Sequence, residues 1–246
     1  MNKNNLLIIG ATSGIMISCL ENFLSKNYNI TASYHDDKSL INISDKVKNS
    51  SKIKFLKLDL NSNNSEIIEN LKKNNVKADI IINAVGGSFG IKEYPLDISS
   101  WQKMLDVNIL KHILINNYFL EQMKKNNFGR ILFFSTTAVD DKNASIAYST
   151  SKAFLENYVV KSANIFGKHN ILINCIKTSI IAAKNNNWYK ASMQKPDFVK
   201  DFAKKYLSVE RLGTGADLEK FINLIISEEN NFMNGSIVRI DGGLKS

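Results

Sequence analysis

Leu6-Leu7-Ile8-Ile9-Gly10-Ala11-Thr12-Ser13-Gly14-Ile15 is the stretch that decides the fold. Four consecutive aliphatic residues without polar alternation fit a strand buried on both faces. Gly10 and Gly14 bracket a tight turn, and Ile15–Lys26 continues with helical period. A strand that passes through glycines into a helix brings bare backbone close to a ligand. The amides and dipole at the helix start then favour a phosphate. Outside that context a glycine turn is weak evidence.

The alternation continues along the chain. Apolar runs at Leu6–Gly10, Ile30–Tyr34, Ile53–Leu58, Ile80–Asn83, Ile131–Ser135, Ile171–Ile176 and Ile237–Ile240 read as strands. Between them, Ile15–Lys26, Ser39–Lys48, Glu66–Asn74, Ser99–Lys125, Ser149–Gly167 and Ala216–Glu228 read as helices. This order predicts an α/β fold, a doubly wound parallel sheet of about seven strands with helices on both faces. No repeat, low-complexity tract or Pro/Gly linker divides residues 1–246, so one domain is expected. Thr178–Arg211 reads as irregular and lysine-rich, with Trp188, Tyr189, Met193 and Phe198. It follows a strand's C-terminal end and is expected to form a mobile substrate lid holding one or two short helices.

Composition narrows the function classes. The net charge is +9, yet the lysines are dispersed and form no stripe interleaved with aromatics, so a nucleic-acid partner is not expected. A positive field suits a dinucleotide or a phosphorylated substrate. Cys19 and Cys175 each lie in apolar segments and read as buried, reduced thiols of a cytoplasmic protein. Neither they nor the three histidines have metal-ligand spacing, so no metal is expected. Lys3, the apolar run Leu6–Ile17 and Cys19 imitate a lipoprotein leader. Two glycines and two hydroxyls interrupt that run, however, and export is not expected. No stretch is long and apolar enough to span a membrane.

The chemical signal is an ordered set. Tyr148 and Lys152 are four residues apart, Ser135 lies thirteen residues before Tyr148, and Asn108 precedes all three. The Tyr-x-x-x-Lys pair alone carries little, because the chain has eight tyrosines and Tyr34 and Lys38 form a second match. Asp59 ends the third strand, where a carboxylate can accept from an adenine amino group. Asn83-Ala84-Val85-Gly86 ends the fourth, and its glycine permits a tight reversal.

Over essentially its full length the chain resembles the short-chain dehydrogenase/reductase family, whose fold is Rossmann-type. The glycine turn is similar to that family's Gly-x-x-x-Gly-x-Gly loop, and Asn83–Gly86 to its Asn-Asn-Ala-Gly segment. Asp106-Val107-Asn108, Ser135, Tyr148, Lys152 and the closing Asp241-Gly242-Gly243 fall on further family motifs. The resemblance implies an NAD(P)-dependent oxidoreductase acting on a small carbonyl/alcohol pair. It makes Gly10, Thr12, Ser13, Gly14, Ile15, His35, Asp59, Leu60, Asn83, Ala84, Gly86, Tyr148, Lys152 and Ile181 the cofactor-binding set.

Carbonyl reduction needs a proton at oxygen as hydride reaches carbon. By resemblance Tyr148 supplies it. Lowering a phenol from a pKa of about 10 toward 7 takes roughly 4 kcal/mol. Lys152, one helical turn along, and the charge of the oxidised nicotinamide would provide it. Lys152 would also bond the nicotinamide ribose. Ser135 would donate to the developing alkoxide, and Asn108 would hold a water that relays protons to Lys152. The resemblance also implies a homotetramer or homodimer, with Ile109, Ile113, Phe119, Phe154, Leu155 and Tyr158 offering apolar surface.

Several positions depart from the pattern. Met16 replaces the third glycine of the loop, Thr178-Ser179 replaces Pro-Gly, and Ala183 stands where a threonine is common. At the end of the second strand no acid aligns with Tyr34 to select NAD. His35, assisted by Ser33 and Lys38, points to NADP, although Asp36 and Asp37 oppose it and NAD stays possible. A 3-oxoacyl thioester and a sugar-type ketone both suit the residues as substrates. The alternative is a catalytically silent, nucleotide-binding relative.

Overall fold

The computed structural model describes residues 4–91, 95–184 and 186–245. Its strands are β1 (Asn5–Ile9), β2 (Asn29–Tyr34), β3 (Ile53–Lys57), β4 (Ile80–Asn83), β5 (Gly129–Thr136), β6 (Ile171–Thr178) and β7 (Ile237–Ile240). All pair in parallel in one sheet ordered β3-β2-β1-β4-β5-β6-β7. The expected doubly wound architecture is present. Winding reverses between β1 and β4, which opens a crevice at the strands' C-terminal ends.

Alternate strand residues feed two cores. Leu7, Ile9, Ile81, Ile131 and Phe133 face one side, beneath α3 (Asn64–Lys73), α5 (Lys111–Asn126) and α6 (Ile146–Phe166). Leu6, Ile8, Ile80, Ile82 and Leu132 face the other, beneath α1 (Gly14–Ser25) and α9 (Gly215–Ile226). Met16 is fully buried in that second core. On the same face of the sheet, α1 also approaches α9 closely. A Cβ on Gly215 would overlap the Ser18 side chain, so the helices touch there.

Two helical expectations are corrected. Ser39–Lys48 is not one helix but a 3-10 turn, Asp37–Asn42, followed by the single turn α2 (Asp45–Lys48). Asn42 and Ser44 interrupt the pattern, since their side chains compete with helical hydrogen bonding. Ser99–Lys125 divides into α4 (Ile98–Leu105), a π-helical turn (Asp106–Leu110) and α5. The cause is local. Asn108 Nδ2 donates to the Met104 carbonyl at 3.0 Å, competing for the acceptor that an α-helix would give Asn108's own N–H. The expected lid contains α7 (Asn187–Gln194) and α8 (Pro196–Tyr206), with Pro196 at a first-turn position that tolerates proline. These are the short helices expected of that segment, and Trp188 and Ala203 pack there with Leu207 and Leu212.

Lys3 of the leader-like start and residue 185 of the lid lie outside the described residues. Among the described residues, no helix is long and apolar enough to cross a membrane. Of the apolar set expected at an interface, Ile109, Phe119 and Leu155 are buried against their own sheet, while Phe154 is 48% exposed. Cys19 and Cys175 are buried and unpaired, and burial pushes both thiols up to about 12.

Candidate active site

The glycine turn sits at the crevice. Gly10 adopts φ +86°, a conformation open to glycine at no cost, and Ser13 N closes the turn onto Gly10 O at 3.0 Å. Ser13 then caps α1 by accepting from Met16 N. A Cβ on Gly14 would run into the Lys184 carbonyl, so the chain after β6 lies directly over the turn. Ser33 belongs to the lining of the cavity at this turn but is buried, and it accepts from Gly10 N at 3.0 Å, which helps to shape the turn.

Two cavities meet at this turn. Gly10, Thr12, Ser13, Tyr34, His35, Asp59, Leu60, Ala84 and Gly86 line the first. Ser13, Gly14, Ile15, Ala84, Gly86, Thr136, Tyr148 and Lys152 line the second. Sharing Ser13, Ala84, Val85 and Gly86, they form one cleft along the strand ends. Asn83 and Ile181 do not line it. Asn83 is buried, donating to Leu132 O, and Ile181 is buried behind the cleft, bridged to Gly213. His35 approaches Asp59 at 3.4 Å. Burial alone would raise Asp59, but hydrogen bonds from Asn61 and the neighbouring His35 hold it below the ordinary carboxylate value. Asp37 is paired with Lys57 at 2.7 Å.

Gly86 is required by a close approach. A Cβ there would lie 2.8 Å from Asn108 Oδ1 and 2.9 Å from Lys152 Nζ. Asn108 is fully buried and commits its amide to protein: Oδ1 accepts from Gly87 N, and Nδ2 donates to Gly87 O, each at 3.0 Å. Its side chain therefore clips the loop after β4. One turn on, His112 contacts Asn83 Oδ1 at 3.1 Å and Val85 O at 3.0 Å, clipping the same loop. Burial and the Lys152 ammonium push that imidazole down to about 4. His112 was not singled out from sequence; its spacing of four from Asn108 was the available signal.

Lys152 is 4% exposed and donates to Phe134 O at 2.9 Å, and burial pushes its ammonium down to about 8. Burial raises the Tyr148 phenol, and a hydrogen bond with the Thr136 hydroxyl opposes the rise.

Ser135 lines the second cavity with Thr136, Tyr148 and Lys152. Its hydroxyl donates to Glu156 Oε1 at 2.5 Å. Ser135 is in phase with Ile131 and Phe133, which face α6, the helix that carries Tyr148, Lys152 and Glu156. The strand runs one residue beyond Ser135, and Thr136 stands at its end. Beyond Thr136 a third cavity opens between the loop after β5, α8 and β7, with Asp140, Phe202, Tyr206 and Arg239 in its wall. Trp188, expected to meet substrate, stacks on Phe202 at 4.6 Å instead, and Met193 and Phe198 point to solvent.

The sequence model of the short chain dehydrogenase family matches residues 4–194. Glucose 1-dehydrogenase 2 of Bacillus subtilis is 23% identical over 246 residues, 97% of this chain and 93% of that protein. Two other curated relatives are matched over only 65% and 54% of their own length. ElxO, solved with NADP bound, superposes with a TM-score of 0.81 at 24% identity, over 97% of each chain. 4-Hydroxyisoleucine dehydrogenase, solved with NADH, gives 0.80 at 25% identity over 98% of each. A family match that runs from the first strand into the helix pair beside the third cavity leaves one conclusion: the chain belongs to the short-chain dehydrogenases.

Proposed function

We propose that the protein is an NADP-preferring oxidoreductase that interconverts a carbonyl and an alcohol, working as one dinucleotide-binding domain. The observation that carries this reading is the gathering of Tyr148, Lys152, Ser135 and Thr136 around one cavity at the strand ends, where the cleft meets the third cavity. The residues fit a nicotinamide dinucleotide. The bare glycine turn and α1 start receive the pyrophosphate, Asp59 with Leu60 the adenine, and Gly86 leaves room beside Lys152 for a ribose. The cofactor, when bound, supplies the hydride.

The chain does the remainder. Tyr148 donates its proton to the substrate oxygen, and Thr136, in the role expected of Ser135, donates a hydrogen bond to the charge that develops there. Lys152 stabilises the phenolate left behind. Asn108 and His112 hold the loop that forms one wall. Substrate enters through the third cavity, where a 3-oxoacyl thioester or a sugar-type ketone is accepted. His35 faces the adenosine end, where Lys57 compensates the Asp37 charge that would repel a 2′-phosphate. Exposed Ile146, Phe154, Val160 and Ile165 on α6 support pairing with a second copy, as a dimer or tetramer. The protein is assigned to the cytoplasm.

The test is NADPH absorbance with a panel of ketones, acyl thioesters and sugars. Turnover of one member is expected, reduced at least ~10²-fold in Tyr148→Phe at nearly unchanged cofactor affinity. Wild-type turnover in that variant would remove Tyr148 from the chemistry.

A further inference from the structure

Neither the cleft nor the proton-donating pair uses the charges at the ends of β5 and β6. Lys177, on β6, stands opposite Ser135 in the sheet and has a side chain 9% exposed. Its ammonium reaches Asp140 Oδ1 at 3.0 Å and Glu156 Oε1 at 3.2 Å. That same Glu156 oxygen receives the Ser135 hydroxyl. Asp140 also takes Arg239 Nη1 at 3.1 Å, and Arg239 Nε bonds Asp241 at 2.5 Å.

The placement of these partners is informative. Ser135 immediately precedes Thr136, and Asp140 closes the 3-10 turn Thr137–Val139 that follows it. One ammonium thus fixes the chain on both sides of the hydroxyl that meets Tyr148, from the left through Glu156 and from the right directly. Without Lys177, the part-buried Glu156 would lose its cation, while Asp140 would keep only Arg239. The ends of the segment that carries Thr136 would then lose the tie that joins α6 to the turn after β5 and would shift. Displacement of that order matters, since a misplacement of about 1 Å in a reacting group can cost about 10²-fold in rate.

We propose that Lys177 is a positioning residue, which, through Glu156–Ser135 on one side and Asp140 on the other, holds the Thr136 hydroxyl against Tyr148. The inference rests on the reading of Tyr148 and Thr136 as the proton-donating pair. An ion cluster that only stabilised the fold would leave the Tyr148–Thr136 contact intact in any variant that folds.

Titration of Tyr148 gives a readout that needs no turnover. The phenolate absorbance of each protein is recorded as a difference against the same protein carrying Tyr148→Phe. Thr136→Val and Lys177→Met should each raise the Tyr148 pKa, because the first removes the hydroxyl that lowers it and the second lets that hydroxyl shift away. Lys177→Met should add little in the Thr136→Val background, since the contact is already gone. Lys177→Arg should restore the wild-type value. Where Lys177→Met does not fold, Glu156→Gln serves. It keeps an acceptor for Ser135, gives up the charge that draws Lys177, and should shift the phenol in the same direction by less. With a turned-over substrate, kcat should fall roughly 10–100-fold while cofactor Kd stays within about twofold. An unshifted Tyr148 in folded Lys177→Met, or an equal shift in both Thr136 backgrounds, would overturn the proposal. Wild-type protein that turns over no substrate would instead count against the oxidoreductase reading and leave the titration to judge Lys177.

Discussion

The Ser135 hydroxyl donates to Glu156 Oε1 at 2.5 Å, while Thr136, one residue later on β5, lines the cleft beside Tyr148. The two neighbours carry interchangeable chemistry with different partners, so substitution separates them. Thr136→Val keeps shape and removes the hydroxyl, and kcat should fall about 10²-fold. Ser135→Ala releases one tether and should cost less than about tenfold. Steady-state kinetics on the two variants decides. A Ser135→Ala loss equal to that of Thr136→Val would return the hydroxyl role to Ser135.

This pair also marks the limit of what the sequence discloses. Strand identity and order were legible because runs such as Leu6–Ile9 and Ile80–Ile82 are apolar on both faces, and only a parallel buried strand needs that. Tyr148 and Lys152 were legible because their spacing places both on one helix face. Spacing alone could not say which partner each of two adjacent hydroxyls takes, since Glu156 reaches Ser135 only through the packing of α6 on β5. Asn108 was legible as a residue but not in its action. Its amide binds Met104 and Gly87, contacts created by a π-helical turn that no periodicity predicts. The Lys177 cluster was invisible because its members are scattered from position 135 to 241 and meet only across three strand ends.

Gly86 tests the close approach at the cleft. An alanine methyl would press on Asn108 Oδ1 and Lys152 Nζ, 2.8 and 2.9 Å from the new carbon. Lys152 can yield, but only by leaving the place where a ribose would be bound. Gly86→Ala should weaken cofactor binding roughly tenfold, in line with the cost of overpacking. Gly87→Ala is the control, as nothing lies within 4 Å of its added carbon. Equal Kd values for the two variants, by fluorescence titration with NADPH, would show that the approach to Lys152 does not limit binding.

Cofactor choice is tested at His35. The imidazole lines the cleft next to Asp59, and Lys57 pairs with Asp37 across the same corner. A 2′-phosphate brings roughly −1.5 to −2 charge, and Tyr34 offers no acid to repel it. NADPH should bind more tightly than NADH, and His35→Ala should narrow the gap several-fold, on the order of one charge-assisted hydrogen bond. Lys38, whose side chain does not reach the cleft, should matter less. Tighter NADH binding in the wild type would reverse the assignment.

Lys152 makes stability itself depend on pH. Its folded pKa is about 8 against 10.5 for the free group, because burial disfavours the ammonium. Between those values the folded protein has released a proton that the unfolded chain still holds. Unfolding therefore takes up a proton, and stability rises with pH across the window. Below pH 8 both states are charged and the full cost of burying the ammonium remains. By pH 9.5 the gain should approach about 2 kcal/mol. Cys19 and Cys175 act in the opposite sense. With folded pKa values of about 12 against 9.0, the unfolded chain loses those protons first and stability falls above pH 9. The thiols are common to wild type and Lys152→Met, so the difference between the two proteins isolates the lysine. Urea unfolding at pH 7.5 and 9.5 should show wild type gaining on Lys152→Met as pH rises. Stability curves that stay parallel over that interval would mean that Lys152 is not desolvated and that its ammonium is available to Tyr148 at every working pH.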